Sequence, residues 1–310
     1  MKTVVQRSTP PMTLKQSGVW FVALGAALWG TSSYFRNQML AVLTSSQIVL
    51  LEHLLLALFA VPVMIIGRNQ LKQLNAKDWG AVLFISWGGS AIATILFTAA
   101  FQYGNPNVVV LLQKLQPIFV ILLARFLLKE MLPRSFRYYL LVAVVGAYLL
   151  TFGFSMPLAD FTHGNLTAAL LALGAAALWG GSTVMGRHLI GKLSFETVTA
   201  ARFLMALPLL AALVAINGEF ANFNWSYLAQ PTGVGSILMS ALLPGLFSLL
   251  LYYRGLSSTK ASYATVAELS FPATALLLNW IMLGQGLNLG QAVGFVLIWV
   301  TIFKLSTSQK

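Results

Sequence analysis

Apolar runs of about 20 residues follow one another from position 18 to position 306, each long enough to cross a bilayer as a helix. A soluble domain carries about 25% charged residues. This chain of 310 residues carries 8%, and 58% of it is hydrophobic. The sequence therefore predicts an all-α integral membrane protein. Its net charge of +12 is one expected of nucleic-acid binders, but the Lys and Arg residues fall mainly in alternate short loops, which is a topology signal and argues for a lipid bilayer as partner and against nucleic acid.

The hydropathy pattern predicts ten spans, at about 18–38, 46–66, 79–101, 107–127, 136–154, 166–188, 194–216, 232–253, 261–282 and 290–306. Residues 1–17 and 307–310 read as cytoplasmic tails, and 155–165 (SMPLADFTHGN) as a linker between two halves, 18–154 and 166–306. Tight turns are expected at YGNPN (103–107) and GQGLN (284–288). The first span could imitate a signal peptide, but its pattern returns later in the chain, so it reads as a retained helix. With the N-terminus inside the cell, sixteen of the nineteen Lys and Arg residues fall on the cytoplasmic side, Arg36 alone falls outside, and Lys114 and Arg202 lie within spans. This bias places both termini in the cytoplasm.

The chain repeats itself. Leu28-Trp29-Gly30 returns 150 residues later as Leu178-Trp179-Gly180, and at the same offset Glu52 falls on Arg202. Pro117 and Pro272 match at an offset of 155, as do Glu130 and Gln285, the longer loop before the eighth span absorbing the difference. Two copies of five spans must enter the membrane in opposite senses. Inverted repeats are the architecture of alternating-access carriers, whose site lies near the midplane between the halves. A channel or a scaffold built on the same repeat is the competing reading.

The paired stretches LGAALWG (24–30) with LGAAALWG (173–180), and LQPIFVILLARFLLKE (115–130) with LSFPATALLLNWIMLGQ (269–285), resemble the drug/metabolite transporter superfamily, and within it the EamA-type carriers with two EamA repeats. The resemblance covers nearly the whole chain. It implies transport of a small molecule, with export as the suggested direction, but no particular substrate. The second copy departs from the pattern because Gln285 stands where the first has Glu130, which points to Glu130 as support for the cytoplasmic end of a helix.

Five ionisable residues fall within predicted spans: Glu52, His53, Lys114, Arg202 and Glu268. A charged side chain at the centre of a transmembrane helix costs about 2.5–3.5 kcal/mol on insertion scales, so each is a candidate functional group. Aligning the prolines puts Glu268 level with Gln113, next to Lys114. Each lies roughly 10 Å from its helix start at 1.5 Å per residue. They are therefore expected to face a common cavity, Lys114 recognising a carboxylate or other anion and Glu268 an ammonium group or a proton, unless they form a structural ion pair. Gln113 and Gln116 flank Lys114 and either bind ligand or satisfy the carbonyl that Pro117 leaves without a partner. Trp29 and Trp179 either stack on substrate or pack between helices. Glu52 and Arg202 either pair with one another or meet other polar groups, and with His53 they are the candidates for proton coupling or gating. Arg36 reads as an entrance or helix end, and Tyr138, Tyr139, Tyr252 and Tyr253 as anchors at the membrane interface.

Other chemistries find little support. The chain has no cysteine, no GxxxxGK[ST] phosphate loop, no HExxH and no Asp-rich metal loop, so no cofactor or metal is expected. An intramembrane enzyme would have only Glu52 and His53 to start from, and neighbours on a helix point different ways. The expectation is a secondary carrier and not an enzyme, most consistent with an amino acid or related zwitterion. The alternatives are an organic cation or drug and, from another class, a membrane enzyme or scaffold.

Overall fold

The computed structural model describes residues 14–32, 35, 39–103, 106–155, 166–283 and 286–308. Arg36, Gln285, most of the linker and most of the N-terminal tail lie outside the described residues, as do the central residues of the 103–107 turn. Among the described residues the fold is all helical.

Helix α1 spans Leu14–Trp29 and α2 Ser45–Ile66. α2 opens on a capping box: the Thr44 side chain accepts from Gln47 N, and the Gln47 side chain accepts from Thr44 N. α3, Ala76–Leu83, opens on a second box built from Asn75 and Asp78. It runs through a π-helical stretch, Phe84–Ile92, into α4, Ala93–Tyr103. α5 (Pro106–Gln113), α6 (Gln116–Leu127) and α7 (Phe136–Phe152) complete the first half. The second half holds α8 (Leu166–Ile190), α9 (Phe195–Ile216) and α10 (Pro231–Ser240). α10 continues through a π-helical stretch, Ala241–Phe247, into α11, Ser248–Ser258. α12 (Ala261–Ala267), α13 (Ser270–Leu283) and α14 (Leu289–Ser308) follow.

Seven of these helical runs are long and apolar enough to cross a membrane, and Gly18–Trp29, Gln116–Leu127 and Phe136–Phe152 are shorter apolar helices. Polarity is distributed as lipid requires. Leu58, Ile66 and Phe126 are among the most exposed side chains, while Gln47, Glu52, Asp78 and Ser248 are buried. The eighth predicted span was expected to end near 253, but its helix runs on to Ser258, which changes the setting of Tyr252 and Tyr253.

The fourth and ninth predicted spans are not continuous. α5 stops at Gln113 and α6 starts at Gln116; α12 stops at Ala267 and α13 starts at Ser270. Prolines cause both breaks. Pro117 and Pro272 lack an N–H, and their rings crowd the carbonyls four residues back, those of Gln113 and Glu268. The backbone responds by tightening to i→i−3 bonds, Leu115 N to Leu112 O (3.1 Å), Ile118 N to Leu115 O (2.9 Å), Leu269 N to Val266 O (3.2 Å) and Phe271 N to Glu268 O (3.0 Å). The residues left in the two gaps are Lys114-Leu115 and Glu268-Leu269.

The halves pack reciprocally. α1 lies along α11 and against α13, α8 lies along α4 and against α6, α2 pairs with α9, and α7 pairs with α14. Exchanging the halves maps this set of contacts onto itself. α2 and α9 run antiparallel. Thr44 and Gln47 at the start of α2 bond Glu219 beyond the end of α9 (2.9 and 2.7 Å), and Ser194 N at the start of α9 bonds Gln70 beyond the end of α2 (2.8 Å). The α1–α11 crossing is backbone to backbone. A Cβ on Gly25 would stand 2.6 Å from Ser248 O and 2.8 Å from Tyr252 N, so only glycine permits that approach.

Candidate functional site

The broken helices meet at Glu268. Its Oε1 accepts from the Tyr252 hydroxyl at 2.7 Å and from Thr183 Oγ1 at 3.2 Å, and its Oε2 accepts from Gln116 Nε2 at 2.7 Å. Gln113 Nε2 in turn donates to Gln116 Oε1 at 3.1 Å. A carboxylate offers about four lone-pair sites. Three neutral donors hold this one in a fixed orientation and leave it accepting capacity. The donors come from α6, α8 and α11, so the cluster ties both halves together. Trp29, on α1, lies against Tyr252 with ring centroids 5.1 Å apart.

Lys114 does not pair with Glu268 or with any other acid among the described residues. Its ammonium lies over the Phe271 ring, 4.9 Å from the centroid, one helical turn beyond Glu268. Of the six side chains expected to bind substrate, the structure gathers Gln113, Gln116, Glu268, Lys114 and Trp29 around the two breaks, all half-buried. Trp179 belongs to another neighbourhood. Its indole N–H donates to Gly89 O at 3.0 Å, and its ring meets Phe97 edge-on at 5.3 Å. The two tryptophans are nevertheless placed alike, since Phe97 and Tyr252 are 155 residues apart.

Of the two arrangements open to Glu52 and Arg202, the structure takes the second: they do not bond each other. Arg202 Nε donates to Ser90 Oγ at 2.9 Å and Nη1 to the Tyr253 hydroxyl at 3.0 Å. Glu52 accepts from Ser240 Oγ. Each charge on the second helix of one half is thus met by a serine on the third helix of the other. His53 is buried, with Nδ1 bonded to Val49 O at 2.8 Å and its ring edge-on to Phe203. Glu130 accepts from Ala261 N (2.8 Å), Ser262 N (3.2 Å) and Ser262 Oγ (2.7 Å), and so caps the start of α12.

Tyr252 and Tyr253 are not interface anchors. They are 3% and 0% exposed, and their hydroxyls serve Glu268 and Arg202. Tyr138, at 58% exposure, keeps an anchor's position. Tyr252, Thr183, Phe271 and Ser90 are site residues that reading the sequence missed. The signal was present for Tyr252, which matches aromatic Phe97 across the repeat. Asp78 was missed as well. It accepts from Lys192 Nζ at 2.7 Å and bonds His188 Nε2 at 2.8 Å, joining the start of α3 to the last turn of α8 and the segment after it.

An apolar exterior, a polar interior and charged residues set in paired helix breaks define a polytopic membrane protein of the small-molecule transporter class. The EamA-like transporter family model matches residues 16–152 and again 166–307, and the chain belongs to that family. The "Riboflavin transporter ImpX" of Fusobacterium nucleatum is 32% identical over 297 residues, covering 93% of this chain and 97% of that protein. An "Uncharacterized transporter YoaV" of Bacillus subtilis is 26% identical, covering 82% and 86%. The "Threonine/homoserine exporter RhtA" of Salmonella typhimurium is 28% identical over 151 residues, 48% of this chain and 47% of that one. A crystal structure of a protein 17% identical superposes with a TM-score of 0.72 over 94% of this chain and 97% of the other, a likeness of fold. The family and these named relatives are transporters, not enzymes.

Proposed function

We propose that this protein is a secondary carrier of the cytoplasmic membrane that moves a planar, polar heteroaromatic metabolite of the flavin kind by alternating access. In this reading it has ten spans in two oppositely inserted repeats, bounded as the hydropathy pattern sets them, with both termini in the cytoplasm. One observation carries it: Lys114 and Glu268 occupy the gaps of the two proline-broken helices, where loosened backbone is tolerated only against protein or a wet cavity. The antiparallel α2–α9 pair and the reciprocal packing support the inverted arrangement.

The aromatic trio Trp29, Tyr252 and Phe271 supports a flat ring system as cargo, and Gln113, Gln116 and Glu268 supply hydrogen bonds for a polar ring edge such as an imide. The name of one relative that is similar over nearly the whole chain agrees with this class. A second reading, an amino acid or other zwitterion, is favoured by Lys114 and Glu268 standing in corresponding gaps of the two broken helices without pairing, and by the half-length likeness to an exporter of threonine and homoserine. Glu52, His53, Arg202 and Glu268 are the groups through which proton coupling would act, and export is the direction suggested by the family resemblance.

Proteoliposome flux separates these readings. Radiolabelled riboflavin, threonine and a permeant organic cation are offered in turn, with and without a pH gradient. Saturable riboflavin flux above that of empty vesicles supports the flavin class, and threonine flux without riboflavin flux replaces it with the zwitterion. Flux of neither compound overturns both assignments. A rate that follows the pH gradient identifies proton coupling.

A further inference from the structure

Arg202 sits inside a membrane span, half-buried, with no carboxylate within ion-pair distance among the described residues. A guanidinium has five N–H donors. Two are used, on Ser90 Oγ and the Tyr253 hydroxyl, and both partners are neutral. Glu268 lies within electrostatic reach of Arg202 but does not bond it. At the same spot Ser182 Oγ is sealed from solvent and has no hydrogen-bond partner, although the residue is only 2% exposed. Both groups converge on Gly89. A Cβ there would stand 3.2 Å from Arg202 Nη2 and would collide with the Ser182 side chain. Gly89 lies in the π-helical stretch Phe84–Ile92, and such departures from α-helix gather at functional sites. A narrow crevice lined by Ser45, Ser46, Ser90 and Thr94 and by apolar residues that include Val49 and Leu210 opens beside Ser90, the serine that Arg202 Nε bonds.

We infer that Arg202, Ser182 and Ser90 form an oxyanion subsite around Gly89, distinct from the Glu268 cluster, that takes a singly charged carboxylate or phosphate-type group. An unpaired guanidinium in hydrocarbon is costly, and a planar fork with free N–H groups suits two oxygens of one anion. Ser182 supplies a hydroxyl that otherwise has no partner, and Ser90 is shared between the subsite and the crevice beside it. The assignment of this anion to the transported molecule rests on the transporter reading; the existence of the subsite does not.

The chain has no cysteine, so a single Thr94→Cys change introduces the only thiol, one turn from Ser90 in the same crevice. Its reaction with anionic methanethiosulfonate ethylsulfonate and with the cationic trimethylammonium reagent is timed in the purified full-length protein. After correction for the reagents' rates with a free thiol, the anionic reagent is expected to be favoured roughly tenfold, as positive potential in a cleft raises local anion concentration. The preference should vanish in Arg202→Gln and return in Arg202→Lys. Sodium acetate or inorganic phosphate should slow modification relative to chloride at equal ionic strength in the Arg202 protein, and not in Arg202→Lys, which keeps the charge but loses the fork. Equal rates for the two reagents, or a preference that survives Arg202→Gln in protein still monodisperse by size exclusion, overturn the subsite. Because no transported substrate is involved, failure here is distinguishable from failure of the flux assay. If the subsite stands, anionic and neutral forms of a transported flavin should differ in their sensitivity to Arg202→Gln.

Discussion

The Tyr252 hydroxyl donates to Glu268 Oε1, in the gap of the second broken helix, at 2.7 Å, and the same hydroxyl lies 2.9 Å from Thr183 Oγ1. Tyr252 comes from α11 and Thr183 from α8, in the same half as Glu268, while Gln116 reaches the carboxylate from α6 of the other half, so the Gln116 bond is the one of the three that changes if the halves rock. Tyr252→Phe removes one donor and leaves the ring in place against Trp29. A hydrogen bond to a charged group contributes about 1.5–3 kcal/mol, a factor of roughly 10 to 150. Transport by Tyr252→Phe is expected to fall by at least tenfold, and by Glu268→Ala to background, with both proteins still folded by size exclusion. Wild-type flux in Glu268→Ala removes this residue from the mechanism.

The paired breaks make a second prediction. Pro117→Ala and Pro272→Ala each restore an N–H and relieve the clash with the carbonyl four residues back. The double variant should close both gaps into continuous helix, turn Lys114 and Glu268 away from their present neighbours, and lose at least tenfold in flux. Hydrogen exchange reads the change directly, since the amides of Leu115, Ile118, Leu269 and Phe271 should become more protected. Unchanged protection with unchanged flux would show the breaks to be indifferent to transport.

Gly25 marks the closest approach of α1 to α11. Gly25→Val forces the helices apart at Ser248 O and Tyr252 N and is expected to cost at least the roughly 1–3 kcal/mol typical of overpacking. Gly174 meets only Leu96, at 3.3 Å, so Gly174→Ala should be mild. Thermal melting followed by size exclusion compares the two, and equal melting temperatures contradict the packing described.

Asp78 is buried, while its partners Lys192 and His188 keep side-chain exposures of 39% and 38%. Asp78→Ala removes the side chain that accepts from Asn75 N, which is half of the capping box, and the acceptor for both partners. Losing an N-cap residue costs about 0.5–2 kcal/mol, losing the N3 half of the box should cost less, and the ion pair adds a modest amount because water screens its cationic side. A fall in melting temperature is expected, partly reproduced at Lys192→Met in low salt, where the effect should shrink at high salt. A Lys192→Met melting temperature equal to the parent's at low salt would leave the ion pair without a role.

Much of the site was legible before any coordinates. Lys114, Glu268 and the glutamines stand out because charge in an apolar run has to face something polar, and Pro117 pointed to a carbonyl without a partner, while the full breaks of the two helices emerged in the structure. The residues that escaped notice are tyrosine, threonine and serine, which are common in any membrane helix and carry no cost that singles them out. Tyr252 was misplaced for a concrete reason. Its helix was expected to end at 253, where a tyrosine reads as an anchor, and the helix continues to Ser258.

The sequence by itself determined that the chain enters a bilayer, that its two halves repeat, and that a proline stands close to Lys114 and to Glu268 in corresponding spans. Run length, offset and proline stereochemistry are local properties of the chain, and the bilayer reads them one segment at a time. Only the tertiary structure decided the partners: Tyr252 and Gln116 for Glu268, Phe271 for Lys114, Ser90 and Tyr253 for Arg202, and Ser240 for Glu52. Those choices depend on how each helix is rotated about its axis against neighbours some 8–10 Å away, a relation between distant segments that no local pattern of residues encodes.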